Sequence, residues 1–197
     1  MDVNSSTTFA TWGTNVTTIT GASSPIYLSS GGDAFCVINM SGSVSCMGDY
    51  LWGNFGNGSA NYIATFIPAM TGVTTASQVA CGGQSASFNI YAGGWNSAGA
   101  CCVLLGNGTV QCAGYNGYGA LGQGSTNLSG AATYSPNTVS GLSNVVALQS
   151  FGSPITSSPS FNAAGFCAIT QSGSVTCWGA MYGGFNTPTL TSITNIP

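Results

Sequence analysis

The residues best equipped for chemistry are eight cysteines: Cys36, Cys46, Cys81, Cys101, Cys102, Cys112, Cys167 and Cys177. Thiolates can hold a metal, act as nucleophiles or oxidise in pairs. Six of the eight fall into three C-x9-C pairs. Zinc sites use clustered thiolates or imidazoles at close spacing, such as C-x2-C. This chain has no His and keeps nine residues inside every pair, so no metal is expected. Acid–base chemistry draws mostly on His, carboxylates, Lys or Tyr. There is no Lys, Arg or His, and the acids are Asp2, Asp33 and Asp49. Asp33, in SGGDAF before a strand, reads as a turn residue, and Asp49 as part of a Gly-rich loop. No EF-hand or nonapeptide pattern supports Ca²⁺. Ser is abundant, but its usual activating bases are missing. The expectation is no catalytic residue, no metal and no cofactor; the chain is not expected to be an enzyme.

The paired cysteines recur inside one phrase: FCVINMSGSVSCMG (35–48), CCVLLGNGTVQCAG (101–114) and FCAITQSGSVTCWG (166–179). Apolar residues alternate with small polar ones on both sides of MSG, GNG and QSG, as in two half-buried strands. Three-residue hairpin loops commonly place Gly in the left-handed position that forms a G1 bulge. Gly42, Gly108 and Gly173 hold that third place. With the loop at 171–173, Thr170 faces Ser174, and counting back sets Cys167 opposite Cys177. The same count sets Cys36 opposite Cys46 and Cys102 opposite Cys112. If the pair flanking the loop is hydrogen-bonded, the cysteines fall on a non-hydrogen-bonded site, where side chains come closest. Cross-strand disulfides are therefore expected. Cys81 and Cys101 would then pair by elimination. A vicinal Cys101–Cys102 bond is an alternative that strands Cys112, and reduced thiols buried in a cytosolic core are another. Four disulfides would imply an oxidising compartment, extracellular or at the cell surface.

Composition agrees with a folded β protein. Of 197 residues, 44% are apolar and 11% aromatic, too many for an intrinsically disordered chain. The formal charge is −3 with no cation, which removes the main attraction to nucleic acid and to anionic lipid. No apolar run reaches the 18 or so residues of a membrane span, and YIATFIPAM is broken by Pro68, so no membrane insertion is expected. The start, MDVNSSTTFA, lacks the basic and apolar regions of a secretory signal. A mature or partial chain reconciles that start with the cysteines.

The phrases are spaced by a long period: Cys36, Cys102 and Cys167 are 66 and 65 residues apart. Each is followed by a Gly-rich stretch, GDYLWGNFGNG, GYNGYGALGQG or GAMYGGFN, and then by Pro and a strand-like run. The expected organisation is one domain over 1–197, with repeats 36–101 and 102–166 and a split repeat made of 1–35 plus 167–197. CCVLLGNGTVQCAGYNGYGALGQG with SPNTVSGLSNVVAL resembles a repeat of the regulator of chromosome condensation (RCC1-like) family, particularly its secreted bacterial type. The resemblance spans nearly the whole chain and implies an all-β architecture of β-propeller blades, each a four-stranded antiparallel sheet. Three repeats are too few for a closed propeller, and without Lys or Arg only the scaffold transfers. Uncovered end blades must stack on something: the chain's own split repeat, a second copy head-to-tail, or further blades of a longer protein.

Surface candidates are fewer. N-glycosylation sequons occur at Asn4, Asn15, Asn39, Asn57, Asn107 and Asn127, with Asn107 at a hairpin apex. Tyr115, Asn116 and Tyr118, in GYNGYG, are candidates to face a ligand, whereas Trp178 reads as packing. The leading expectation is an extracellular structural protein that assembles with copies of itself as a filament or layer. The other is a secreted module that binds carbohydrate or protein. The chain offers trypsin no cleavage site, a useful property outside a cell.

Overall fold

The structure is a computed structural model and describes residues 21–31, 34–49, 52–83, 87–89, 94–96, 99–124, 132–155, 161–180 and 186–193. Every regular element among them is a strand. The first sheet consists of β1 (Pro25–Gly31), β2 (Ala34–Asn39), β3 (Val44–Asp49) and β4 (Tyr62–Ala69), side by side in chain order and antiparallel. Next come β5 (Ala76–Gly82), a small hairpin of β6 (Ser87–Asn89) and β7 (Gly94–Asn96), and then β8 (Ala100–Leu105), β9 (Val110–Tyr115) and β10 (Ala132–Thr138). The second sheet is ordered β5-β8-β9-β10, with the hairpin as an insertion. The third is β11 (Val145–Ile155), β12 (Phe161–Thr170), β13 (Val175–Ala180) and β14 (Asn186–Ile193).

The sheets are thus three complete blades of consecutive residues, and the first cysteine of each pair falls inside a blade. Among the described residues, the two halves expected to form a split repeat do not pair with each other. The tail run pairs with β13 of its own sheet, and β1 supplies the strand that stands before Cys36. Residues 1–20 lie outside the described residues. The reason for the phase is hydrogen bonding. The phrase holds only the two middle strands, whose outer edges need β1, β5 or β11 on one side and β4, β10 or β14 on the other.

The middle hairpins have the expected register. Thr170 N–H donates to the Ser174 carbonyl, as Leu105 does to Thr109 and Asn39 to Ser43, each at 2.9 Å. Gly42, Gly108 and Gly173 have φ of 77°, 78° and 84°, left-handed geometry that glycine enters without a Cβ penalty.

The blades stack face to face around the inner strands β1, β5 and β11, which lie against one another. Cys36, Ile38, Val44 and Cys46 of the first blade pack on Val79, Cys81, Cys101 and Val103 of the second. Cys102, Leu104, Val110 and Cys112 on the opposite face of the second pack on Leu148, Phe166, Ala168 and Trp178 of the third. Strand alternation explains the division, since neighbours such as Cys101 and Cys102 point to opposite sides. Phe166 stacks on Trp178 with centroids 5.7 Å apart, and Trp178 Nε1 donates to the Ala120 carbonyl at 3.0 Å, so this indole is a core residue.

Candidate functional site

Four disulfides tie adjacent strands: Cys36–Cys46, Cys81–Cys101, Cys102–Cys112 and Cys167–Cys177, with Cα separations of 4.0–4.1 Å. Three staple the middle hairpins, and Cys81–Cys101 closes the neck of the inserted β6–β7 hairpin. Cys101 faces the first blade and Cys102 the third, so the vicinal bond does not form. Cys36 Sγ lies 3.4 Å from Cys81 Sγ across the first joint. With Cys101 these sulfurs cluster within 4.8 Å, yet each is already bonded to another sulfur, so none is a thiolate for a metal.

The loop expected to face a ligand is turned inward. Asn116 is only 6% exposed, and its Oδ1 accepts the Leu121 N–H at 3.1 Å, shaping the turn that follows β9. Asn116 is therefore not a ligand-facing residue: a buried amide is held by the backbone it organises. Tyr115 and Tyr118 are half-buried against Ala163 and Ala180, and Trp52 meets Tyr115 edge-on at 5.4 Å. Burial pushes the Tyr115 phenol above the ordinary tyrosine range; burial, with the neighbouring Tyr115, does the same for Tyr118. The fold thus favours both phenols neutral. That contribution is complete below the unfolded pKa near 10 and lost as pH rises through the higher folded values. The urea midpoint is expected to stay level up to about pH 9 and to fall above about pH 10. A Tyr115→Phe, Tyr118→Phe double variant should flatten the decline; an unchanged decline would reject this origin.

The sequons divide in the same way. Asn39 is 8% exposed, with Nδ2 donating to Ser43 Oγ and Ser45 Oγ, so no glycan fits there. Asn57 Oδ1 accepts from both the backbone and the hydroxyl of Ser59. Asn107 stands exposed at its hairpin tip, and its Oδ1 accepts from Thr109. Asn4, Asn15 and Asn127 lie outside the described residues, as does Asp33. Asp49 is the last residue of β3, paired with Tyr62, rather than a loop residue.

What stands out on the surface is the pair of end faces. Leu28, Val79 and Leu148 hold one position on the inner strands, opposite Val37, Val103 and Ala168. Val79 and Leu148 are 1% and 4% exposed under a preceding blade, whereas Leu28 is 67% exposed. Ile38, Leu104 and Ile169 likewise share a position, opposite Val44, Val110 and Val175. The first two are 0% and 3% exposed under a following blade, and Ile169 is 44% exposed. Each end is hollowed. Ile26, Leu28, Phe35 and Phe66 border a hollow of about 540 Å³ at the first blade. Gln149, Cys167, Ile169 and Val175 of the third blade border one of about 480 Å³ that Tyr27 and Gln78, from the inner strands of the other two blades, also line.

No protein-family model matches the chain, and no curated protein matches it in sequence. Solved structures do match. A chain in the crystal structure of Kap60 bound to yeast RCC1 (Prp20) is 12% identical, with a TM-score of 0.62 over 88% of this chain and 37% of that one. Prp20p from Saccharomyces cerevisiae, in a structure reported with its binding to Gsp1p and histones, is 15% identical, with a TM-score of 0.62, 88% of this chain and 39% of that one covered. Human WBSCR16 is 16% identical, with a TM-score of 0.60, 86% of this chain and 38% of that one covered. The chain therefore spans less than two-fifths of the length of these neighbours. Likeness at such low identity speaks of fold alone, and the fold is that of RCC1-like β-propeller blades.

Proposed function

We propose that the chain is a non-catalytic extracellular building block that joins copies of itself head-to-tail, giving a surface filament or layer. The observation that carries this reading is the equivalence of the ends: Leu28 and Ile169 occupy positions that are buried at both interior joints. A third-blade face of one copy has the residue pattern to cover a first-blade face of the next. Partly covered apolar faces of this kind mark interaction surfaces, and a heterologous pairing of unlike faces propagates. The four disulfides support an oxidising compartment, and with it the secreted type of RCC1-like repeat. Absence of Lys and Arg argues against nucleic acid as partner. Glycans at Asn107 would add hydration that charge does not, and the native chain would then exceed 19.6 kDa by whole sugar units.

The experiment is negative-stain microscopy and sedimentation of the purified, oxidised chain without ligand. Ordered polymers are expected as concentration rises; particles that stay monomeric at millimolar concentration reject the reading. One observation favours the second reading, a glycan- or protein-binding module. A polar hollow of about 640 Å³ on the third blade is lined by Asn144, Thr170, Gln171, Ser172 and Ser174. Binding to a glycan array by a chain that never polymerises would favour it.

A further inference from the structure

Each interior hairpin loop locks onto the strand that opens the next blade. The Ala76 N–H donates to the Gly42 carbonyl, and the Val145 N–H to the Gly108 carbonyl, both at 3.0 Å. The loop glycine is also the point of closest approach. A Cβ on Gly42 would run into the Thr74 carbonyl, and one on Gly108 would sit 3.1 Å from Asn144 Cα. Gly173, their counterpart in the third blade, has nothing within 4 Å of such a Cβ.

The matching opening residue of the first blade is Pro25. It pairs with Asn39 as Ala76 pairs with Leu105 and Val145 with Thr170, and each is followed by a shift in register. Ala76 and Val145 are buried, whereas Pro25 is exposed. Proline has no N–H. The inner strand of the first blade thus keeps the apolar contact positions of the other two but has lost the one donor that would fasten a preceding loop.

Building on self-association, we infer that loop 171–173 of one copy seats against residues 24–25 of the next, as the interior loops seat, but without the backbone hydrogen bond. The copy-to-copy joint is therefore held by apolar contact alone at this point. It is the weakest joint in the stack, and it opens and closes while the interior joints stay shut. The partner is a second copy because loop 171–173 and the Leu28 face hold the positions of a loop and a face that already meet twice within the chain.

Two variants test the seat from its two sides, with association measured by sedimentation over a dilution series of the oxidised chain. Pro25→Ala restores a donor on an exposed residue. The net value of one hydrogen bond predicts association roughly 2- to 12-fold tighter than wild type. Gly173→Asn keeps the left-handed geometry that Asn tolerates and adds a side chain at an open tip. It should leave thermal unfolding of the dilute monomer nearly unchanged and weaken association by roughly tenfold or more, through overpacking against the incoming strand. If polymers form but Pro25→Ala binds no tighter, the missing bond is wrong, although head-to-tail assembly survives. If Gly173→Asn polymerises as well as wild type, the loop does not sit at the joint. A wild-type chain that never associates overturns the inference together with the reading it rests on.

Discussion

Ile169→Asp is expected to abolish polymerisation while leaving the fold of the single chain intact. In the monomer Ile169 is exposed on the open face of the third blade, where a carboxylate remains hydrated. Exposed substitutions of this kind usually cost within about 0.5 kcal/mol. In a joint built like the interior ones the same carboxylate would be as deeply covered as Ile38 and Leu104. The chain has no Lys, Arg or His with which to pair it. An unpaired buried charge costs several kcal/mol, so association should weaken by about a hundredfold or more. Leu104→Asp provides the internal comparison: it places the charge at the same position between the second and third blades and should unfold the chain. The measurements are sedimentation for assembly and circular dichroism for the fold. Polymers formed by Ile169→Asp at wild-type concentrations would show that this face is not the joint.

Reduction of the disulfides should have the other large effect. The hairpin staples each close a chain separation of 10 residues and Cys81–Cys101 one of 20. In the chain-entropy account each such crosslink contributes about 3 kcal/mol, or on the order of 10 kcal/mol for the set. That is comparable with the whole stability of a typical domain, about 5–15 kcal/mol. The reduced and alkylated chain is therefore expected to lose its near-ultraviolet signal and unfold at room temperature. Order of reduction carries further information. Cys36 and Cys102 are fully buried beneath a following blade, whereas Cys167, at the open end, is only partly covered. Cys167–Cys177 should be reduced first in the monomer and become protected in polymers. Mass mapping needs a protease other than trypsin. A reduced chain that keeps its native spectrum would show that the cores between blades suffice alone.

Much of the blade was legible because it is fixed by local chemistry. A glycine in third place of each loop sets the register, and the register brings the cysteines face to face. Three local readings failed. GYNGYG looks like an exposed turn, but the Asn116 amide caps the Leu121 N–H and is drawn inside. The sequon at Asn39 gives no sign that Ser43 and Ser45 claim its amide. Asp49 follows glycine and precedes a glycine-rich stretch, yet the ladder with β4 extends to it. The sheets begin and end out of phase with the repeats counted from the cysteines, because the cysteine phrase marks only the two middle strands, while PIYLSSG and VVALQSFGSPI share no comparable signature. The end faces were illegible for a different reason. Leu28 and Val79, or Ile38 and Ile169, are the same kind of residue at the same kind of position. Whether one is covered depends on how many blades stand beside it, which no short window of sequence records. The loss of a donor at Pro25 becomes meaningful only when β1 is aligned with β5 and β11.

The two exposed ends are unlike: one presents Leu28 and Pro25, the other Ile169 and the tip at Gly173. Under the head-to-tail assembly proposed above, a row of such units would have a direction, with distinct growing termini, as a row of arrows does. A unit spoiled at only one terminus can still dock through the other and then accepts nothing more. Traces of such a defective subunit mixed into wild type would act as stoppers, setting fibre length by their proportion.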